Sequence, residues 1–163
     1  MSYLLRHIRH TGVFPGHVRR DSVGREQKMP LISWDDKFSV GYGLIDEQHR
    51  KLFELTNSLH DAIMVRAAAS ALGRSLKELL DYTVYHFSAE EDLMQRNGYP
   101  QYAEHKALHD ALTGQAIDFK TQMEEGKAVS SLAFMQFLRD WLTRHIMEVD
   151  TALGGFLKNR AGS

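Results

Sequence analysis

The sequence predicts an all-α fold, an up-down-up-down four-helix bundle preceded by an extended N-terminal arm. Three observations carry this expectation. Between Asp46 and Val149, apolar residues recur at steps of three and four along four successive stretches. Short breaks separate the stretches, at 67–71, at Asn97-Gly98-Tyr99-Pro100 and at 126–130, and short connections make neighbouring helices antiparallel. No internal repeat or low-complexity tract points to another architecture.

The elements follow in order. Residues 31–43 hold Trp34, Phe38, Val40 and Tyr42 among Asp and Gly. They could pass for a strand, but no partner strand follows, so an arm packed on a helical core is expected. Asp46 offers an N-cap or first-turn acid to a first helix ending near Val65, with Ile45, Leu52, Leu59 and Ile63 facing inward. The second helix runs to about Arg96, with a seam of Leu72, Leu76, Leu79, Thr83, His86, Glu90 and Leu93. Gly98 and Pro100 stop it. The third helix spans about Gln101 to Glu125, with a seam of Tyr102, His105, His109, Leu112, Ala116, Phe119 and Met123. Gly126 ends that helix, and Ser130 can cap a fourth carrying Met135, Leu138, Leu142, His145 and Val149 on one side.

Composition bounds the chemistry. A chain of 163 residues with 43% hydrophobic content suits one ordinary core. A net charge of -1 gives no reason to expect nucleic acid or an anionic membrane as partner. There is no cysteine, which excludes disulfides, zinc–cysteine sites and iron–sulfur ligation. No apolar run approaches the roughly 18 residues of a membrane span, so the body is expected to be soluble, and cytoplasmic in the absence of a convincing export signal.

Charge is distributed unevenly. Residues 1–28 carry a net charge of +4 and the remainder -5. The first segment holds His7, His10 and His17, scattered glycines and no sustained period, so a basic, disordered extension is expected before a folded domain at 29–163. Met29-Pro30 could equally begin the folded protein.

The histidines are the most informative residues. His86 and Glu90 are one turn apart on the second seam, as are His105 and His109 on the third. His145 lies on the fourth seam, with Asp150 five residues on, and His49 starts the inner face of the first helix. A single imidazole on a buried face is ordinarily a hydrogen-bonded core residue. Five of them with Glu90 in one core would leave many polar groups to satisfy, at about 1–3 kcal/mol for each one unpaired. A metal centre satisfies them together, and its ligands would be imidazole and carboxylate, which suit iron, manganese, zinc or copper. Asp150 lies off the ideal face at this spacing, and a fraying C-terminal turn is the expected means of bringing it inward. His60 falls outside the pattern and is expected at the surface or boundary. Glu91 and Asp92 are expected on a solvated face, and Phe87, Trp141 and Ile146 in the core beside the ligands.

Residues 31–150 resemble the hemerythrins, particularly the single-domain bacterial type. The matching segments are Ile32-Ser33-Trp34-Asp35, Ile45-Asp46-Glu47-Gln48-His49, His86-Phe87-Ser88-Ala89-Glu90-Glu91, Gly98-Tyr99-Pro100, His105 through His109, Trp141-Leu142, His145-Ile146 and Asp150. All seven ligand positions of that family have their counterpart, Asp150 included. The basic extension before Met29 departs from the pattern.

The resemblance implies a non-haem di-iron site that binds dioxygen reversibly. It implies that His105, His109 and His145 complete one iron, while His49 and His86 hold the second and leave it an open position. Glu90 and Asp150 would bridge both ions, together with an oxo or hydroxo group. The ferritin-like bundles use Glu-x-x-His pairs, whereas this chain has His-x-x-x-Glu and His-x-x-x-His. No side chain in the pattern stands as a nucleophile or general acid beside its partner, so an oxygen carrier, store or delivery protein is expected ahead of an enzyme. The same scaffold also suits an oxygen or iron sensor, or an enzyme acting on peroxide or nitric oxide. Nothing in the sequence names a protein partner.

Overall fold

The computed structural model describes residues 19–20, 26–27, 29–127 and 130–161. Its main unit, residues 31–163, is built on four long helical stretches, as the periodicity predicts. Helix α1 spans Gly43–Met64, α2 Ala69–Asn97, α3 Tyr102–Glu124 and α4 Ser131–Arg144.

The helix ends follow local chemistry. Gly98 (φ +63°) closes α2 in the left-handed conformation, and Tyr99 N–H donates to Met94 O at 2.9 Å across it. Gly126 (φ +70°) follows α3. Ser130 caps α4 through its hydroxyl, which accepts from Ala133 N–H at 3.2 Å. At the start of α1 the cap position is Tyr42, which makes no side-chain cap. Asp46 serves the arm instead: its carboxylate accepts from Ser39 Oγ at 2.6 Å, Val40 N–H at 2.7 Å and Gly41 N–H at 3.2 Å.

The arm packs on the bundle as expected. It holds one 3-10 turn, Asp36–Phe38, and buries Ile32, Phe38 and Val40. Asn57 of α1 brackets Ile32, accepting from its N–H at 3.1 Å and donating to its carbonyl at 2.8 Å.

The last helix departs from expectation. It neither frays nor ends near Asp150. His145–Asp150 forms a π-helical turn, with Thr151 N–H donating to Ile146 O, and the chain continues as α5, Thr151–Ala161. Leu153 and Leu157 of α5 form a second apolar cluster with Met94 and Tyr99. Gly154 meets the arm closely: a Cβ there would lie 2.3 Å from Val40 O, so only glycine lets the two segments approach.

The expected disordered extension falls mostly outside the described residues. Within it, Arg19–Arg20 (β1) and Glu26–Gln27 (β2) pair as a two-residue antiparallel ladder in a separate unit, residues 1–30. Among the described residues no helix is long and apolar enough to cross a membrane.

Candidate metal centre

The seven sequence-predicted residues meet at one buried point. His49 comes from α1, His86 and Glu90 from α2, His105 and His109 from α3, and His145 and Asp150 from the two ends of the π turn. None is more than 4% exposed. His60 stays apart, half-buried, with Nδ1 3.6 Å from Asp61.

The α-helical register explains the pairs on α2 and α3, because residues four apart share a face. It does not explain Asp150. In an α-helix each residue turns through about 100°, so a fifth residue overshoots the face. A π turn inserts the extra residue and returns Asp150 to the side of His145, placing Asp150 Oδ1 3.1 Å from His145 Nε2.

The donor atoms form two groups that share the carboxylates. His105, His109 and His145 gather with Glu90 and Asp150, and His49 and His86 gather with the same two. Asp150 sends one oxygen each way: Oδ1 lies 3.1 Å from both His105 Nε2 and His145 Nε2, and Oδ2 lies 3.2 Å from His49 Nε2. Glu90 is less cleanly divided, with Oε1 3.7 Å from His49 Nε2 and Oε2 3.3 Å from His109 Nε2. His86 Nε2 lies 3.5 Å from Glu90 Oε2.

This arrangement fits metal better than protons. Nε2 of His145 lies 3.1 Å from that of His105 and 3.2 Å from that of His109. Neighbouring ligands on an octahedral ion with metal–nitrogen bonds of about 2.1 Å would stand about 3.0 Å apart. Both oxygens of Glu90, both of Asp150, and both ring nitrogens of His49 are buried without a hydrogen bond. Such orphaned atoms are costly unless something else occupies their lone pairs.

The electrostatics describe the same cluster without metal. Burial pushes Glu90 and Asp150 upward, but the surrounding imidazoles hold both well below the usual carboxylate range. Burial lowers His49 and His105, yet the close carboxylates of Asp150 and Glu90 outweigh it and raise each to about 9. At His86 burial prevails and lowers the imidazole to about 4. Two carboxylates therefore hold protons on neighbouring rings where cations would otherwise sit.

Two further residues orient the rings, and the sequence reading misses both roles. His86 Nδ1 donates to Gln48 Oε1 at 3.0 Å, and His109 Nδ1 donates to Glu91 Oε1 at 3.1 Å. Each bond fixes the tautomer that leaves Nε2 free to face the centre. Glu91 is thus no member of a solvated face: it is largely covered and also lies 3.9 Å from Lys106 Nζ. Asp92 does sit on that face, paired with Arg96. The signal for Gln48 and Glu91 is that a buried ligand ring needs an acceptor behind it, which here comes from the residues flanking His49 and Glu90.

Aromatic rings wall the centre. Phe87 stacks on His109, with centroids 3.7 Å apart and planes 5° apart, and Trp141 stacks on His145 at 4.3 Å and 14°. Ile146 is fully buried beside them.

The family model for the hemerythrin HHE cation binding domain matches residues 40–157. The bacteriohemerythrin of Methylococcus capsulatus is 39% identical over 127 residues, covering 77% of this chain and 96% of that protein. A hemerythrin-like protein of Naegleria gruberi is 41% identical over 126 residues, covering 77% and 93%. The crystal structure of a wild-type hemerythrin superposes with a TM-score of 0.73 at 38% identity, covering 78% of this chain and 98% of its own. The chain belongs to the hemerythrin family, and the centre that family implies is a non-haem di-iron site.

Proposed function

We propose that the protein binds dioxygen reversibly at this centre, as a carrier, store or delivery protein. The observation that carries the reading is the split of Asp150, with one oxygen toward each histidine group. In this assignment His105, His109 and His145 would hold one iron, His49 and His86 would hold the other, and Glu90 and Asp150 would serve both. With one histidine fewer, the His49–His86 side is where dioxygen would bind. When bound, the iron pair would supply the reversible redox chemistry that dioxygen binding needs.

The chain's own residues do the rest. Glu91 and Gln48 hold two of the rings in register. Phe87, Trp141, Leu142 and Ile146 supply an apolar wall that keeps water from the centre, which protects a reduced metal pair from irreversible oxidation.

The test is an optical cycle on the iron-loaded, reduced protein. A visible charge-transfer band that develops in air and disappears on deoxygenation, over repeated cycles, is the expected result. Irreversible bleaching with consumption of peroxide moves the assignment to an enzyme. An oxygen-insensitive, zinc-only protein removes it. The domain assignment predicts that removing residues 1–28 leaves the cycle unchanged.

A further inference from the structure

The bundle also holds an apolar cavity beside the metal centre. It has a volume of about 300 Å³ and lies among all four helices, walled by Leu76, Leu79, Leu112, Ala116 and Phe134. Phe87, Trp141 and Leu142 are common to both features: all three line the cavity, Phe87 stacks on His109 and Trp141 stacks on His145. This volume is far beyond what a diatomic gas requires, being about ten times the roughly 30 Å³ share of one water. It falls at the lower end of the roughly 300–1,000 Å³ typical of small-molecule sites.

The lining states what could occupy it. The uncharged polar residues in the wall are Thr56, Thr83 and Thr113, and the Thr83 hydroxyl is already engaged, donating to Leu79 O at 2.8 Å. The lysines at the rim are engaged as well, Lys77 with Asp81 and Lys120 with Glu124. Each cation is matched by an acid one helical turn on, so no unpaired charge awaits an anionic head group. Water gains little in such a space, because it needs two to four polar partners. A carboxylate would lose its hydration without compensation.

We propose that this cavity, on the far side of the apolar wall of the metal centre, is a binding site for a neutral, hydrocarbon-like molecule. An apolar cavity of about 150 Å³ accepts benzene, so an occupant of about six to twelve carbons suits twice that volume. Burying it restores dispersion contacts that the empty wall lacks. The proposal does not depend on which metal the centre holds.

The test compares toluene with benzoate, which share a ring and differ in charge. Both are titrated calorimetrically into the full-length, iron-loaded protein, with the thermal midpoint followed in parallel. Toluene is expected to bind near one per chain and raise the midpoint, and benzoate to bind at least tenfold more weakly. Ala116→Phe, which fills the cavity, is expected to weaken toluene at least tenfold while iron content stays constant. Ala116→Met is the milder filling variant should the phenyl ring prove too large to fold. No heat and no midpoint shift near toluene saturation overturns the proposal. So does benzoate binding as tightly as toluene, or toluene binding unchanged in both variants.

Discussion

His145 and Asp150 stand five residues apart and still aim at one point, with Nε2 and Oδ1 3.1 Å from each other, because the helix between them is wound as a π turn. Deleting the exposed Met147 removes the extra residue. The turn then reverts to α register, which leaves Asp150 four residues from His145 and on the same face, with α5 kept in place. Iron content and far-ultraviolet helicity are expected to stay unchanged. Loss of iron from that variant would show that the π turn does more than absorb the extra residue before Asp150.

Glu90→Ala tests the other shared carboxylate. It removes the anion that faces His49, His86, His105 and His109, and leaves buried rings uncompensated. The metal-free variant is expected to lose about 3–5 kcal/mol in chemical denaturation, and it should no longer retain iron through gel filtration. A variant that keeps both would show that Glu90 does not bridge.

Glu91 acts only through His109, so its substitution separates orientation from ligation. Glu91→Ala leaves His109 Nδ1 without its acceptor and is expected to lower metal affinity about 10–100-fold in a chelator competition. Glu91→Gln keeps an acceptor and should recover most of that loss. Equal affinities for all three proteins would dismiss the orienting role.

The metal-free protein has a pH signature. His49 and His105 are raised from 6.5 to about 9 in the fold, so their contribution is complete below 6.5 and is lost as pH rises toward 9. His86 is lowered from 6.5 to about 4, so its contribution is complete above 6.5 and is lost as pH falls toward 4. Glu90 and Asp150, both depressed, add a further loss once pH falls below their ordinary values of 4.5 and 3.8. Stability of the metal-free form should therefore peak near pH 6.5. Metal affinity should instead rise between 6.5 and 9, since the ions displace protons from His49 and His105. Urea denaturation across this range checks the first statement, and competition with a chelator checks the second.

Much of this site is legible in the sequence because α-helical periodicity does the placing. His86 with Glu90, and His105 with His109, need only the rule that residues four apart share a face. Asp150 is harder, since no glycine or proline marks the π turn, and spacing alone suggests a helix end. Helix α5 is hidden for a related reason. Gly154-Gly155 looks like a terminus, whereas Gly154 is there to let the helix touch Val40 of the arm. Glu91 is misread because its neighbour Asp92 is exposed and its partner His109 lies on another helix. Such partnerships depend on how helices are rotated against each other, which one sequence does not state.

The most direct measurement is a crystal structure of the iron-loaded protein with anomalous data at the iron edge. Two iron peaks about 3.5 Å apart are expected, one bound by His105, His109 and His145 and the other by His49 and His86. Glu90 and Asp150 should each give one oxygen to each ion. A single ion, a different division of the five histidines, or a carboxylate bound to only one iron would contradict the bridged centre.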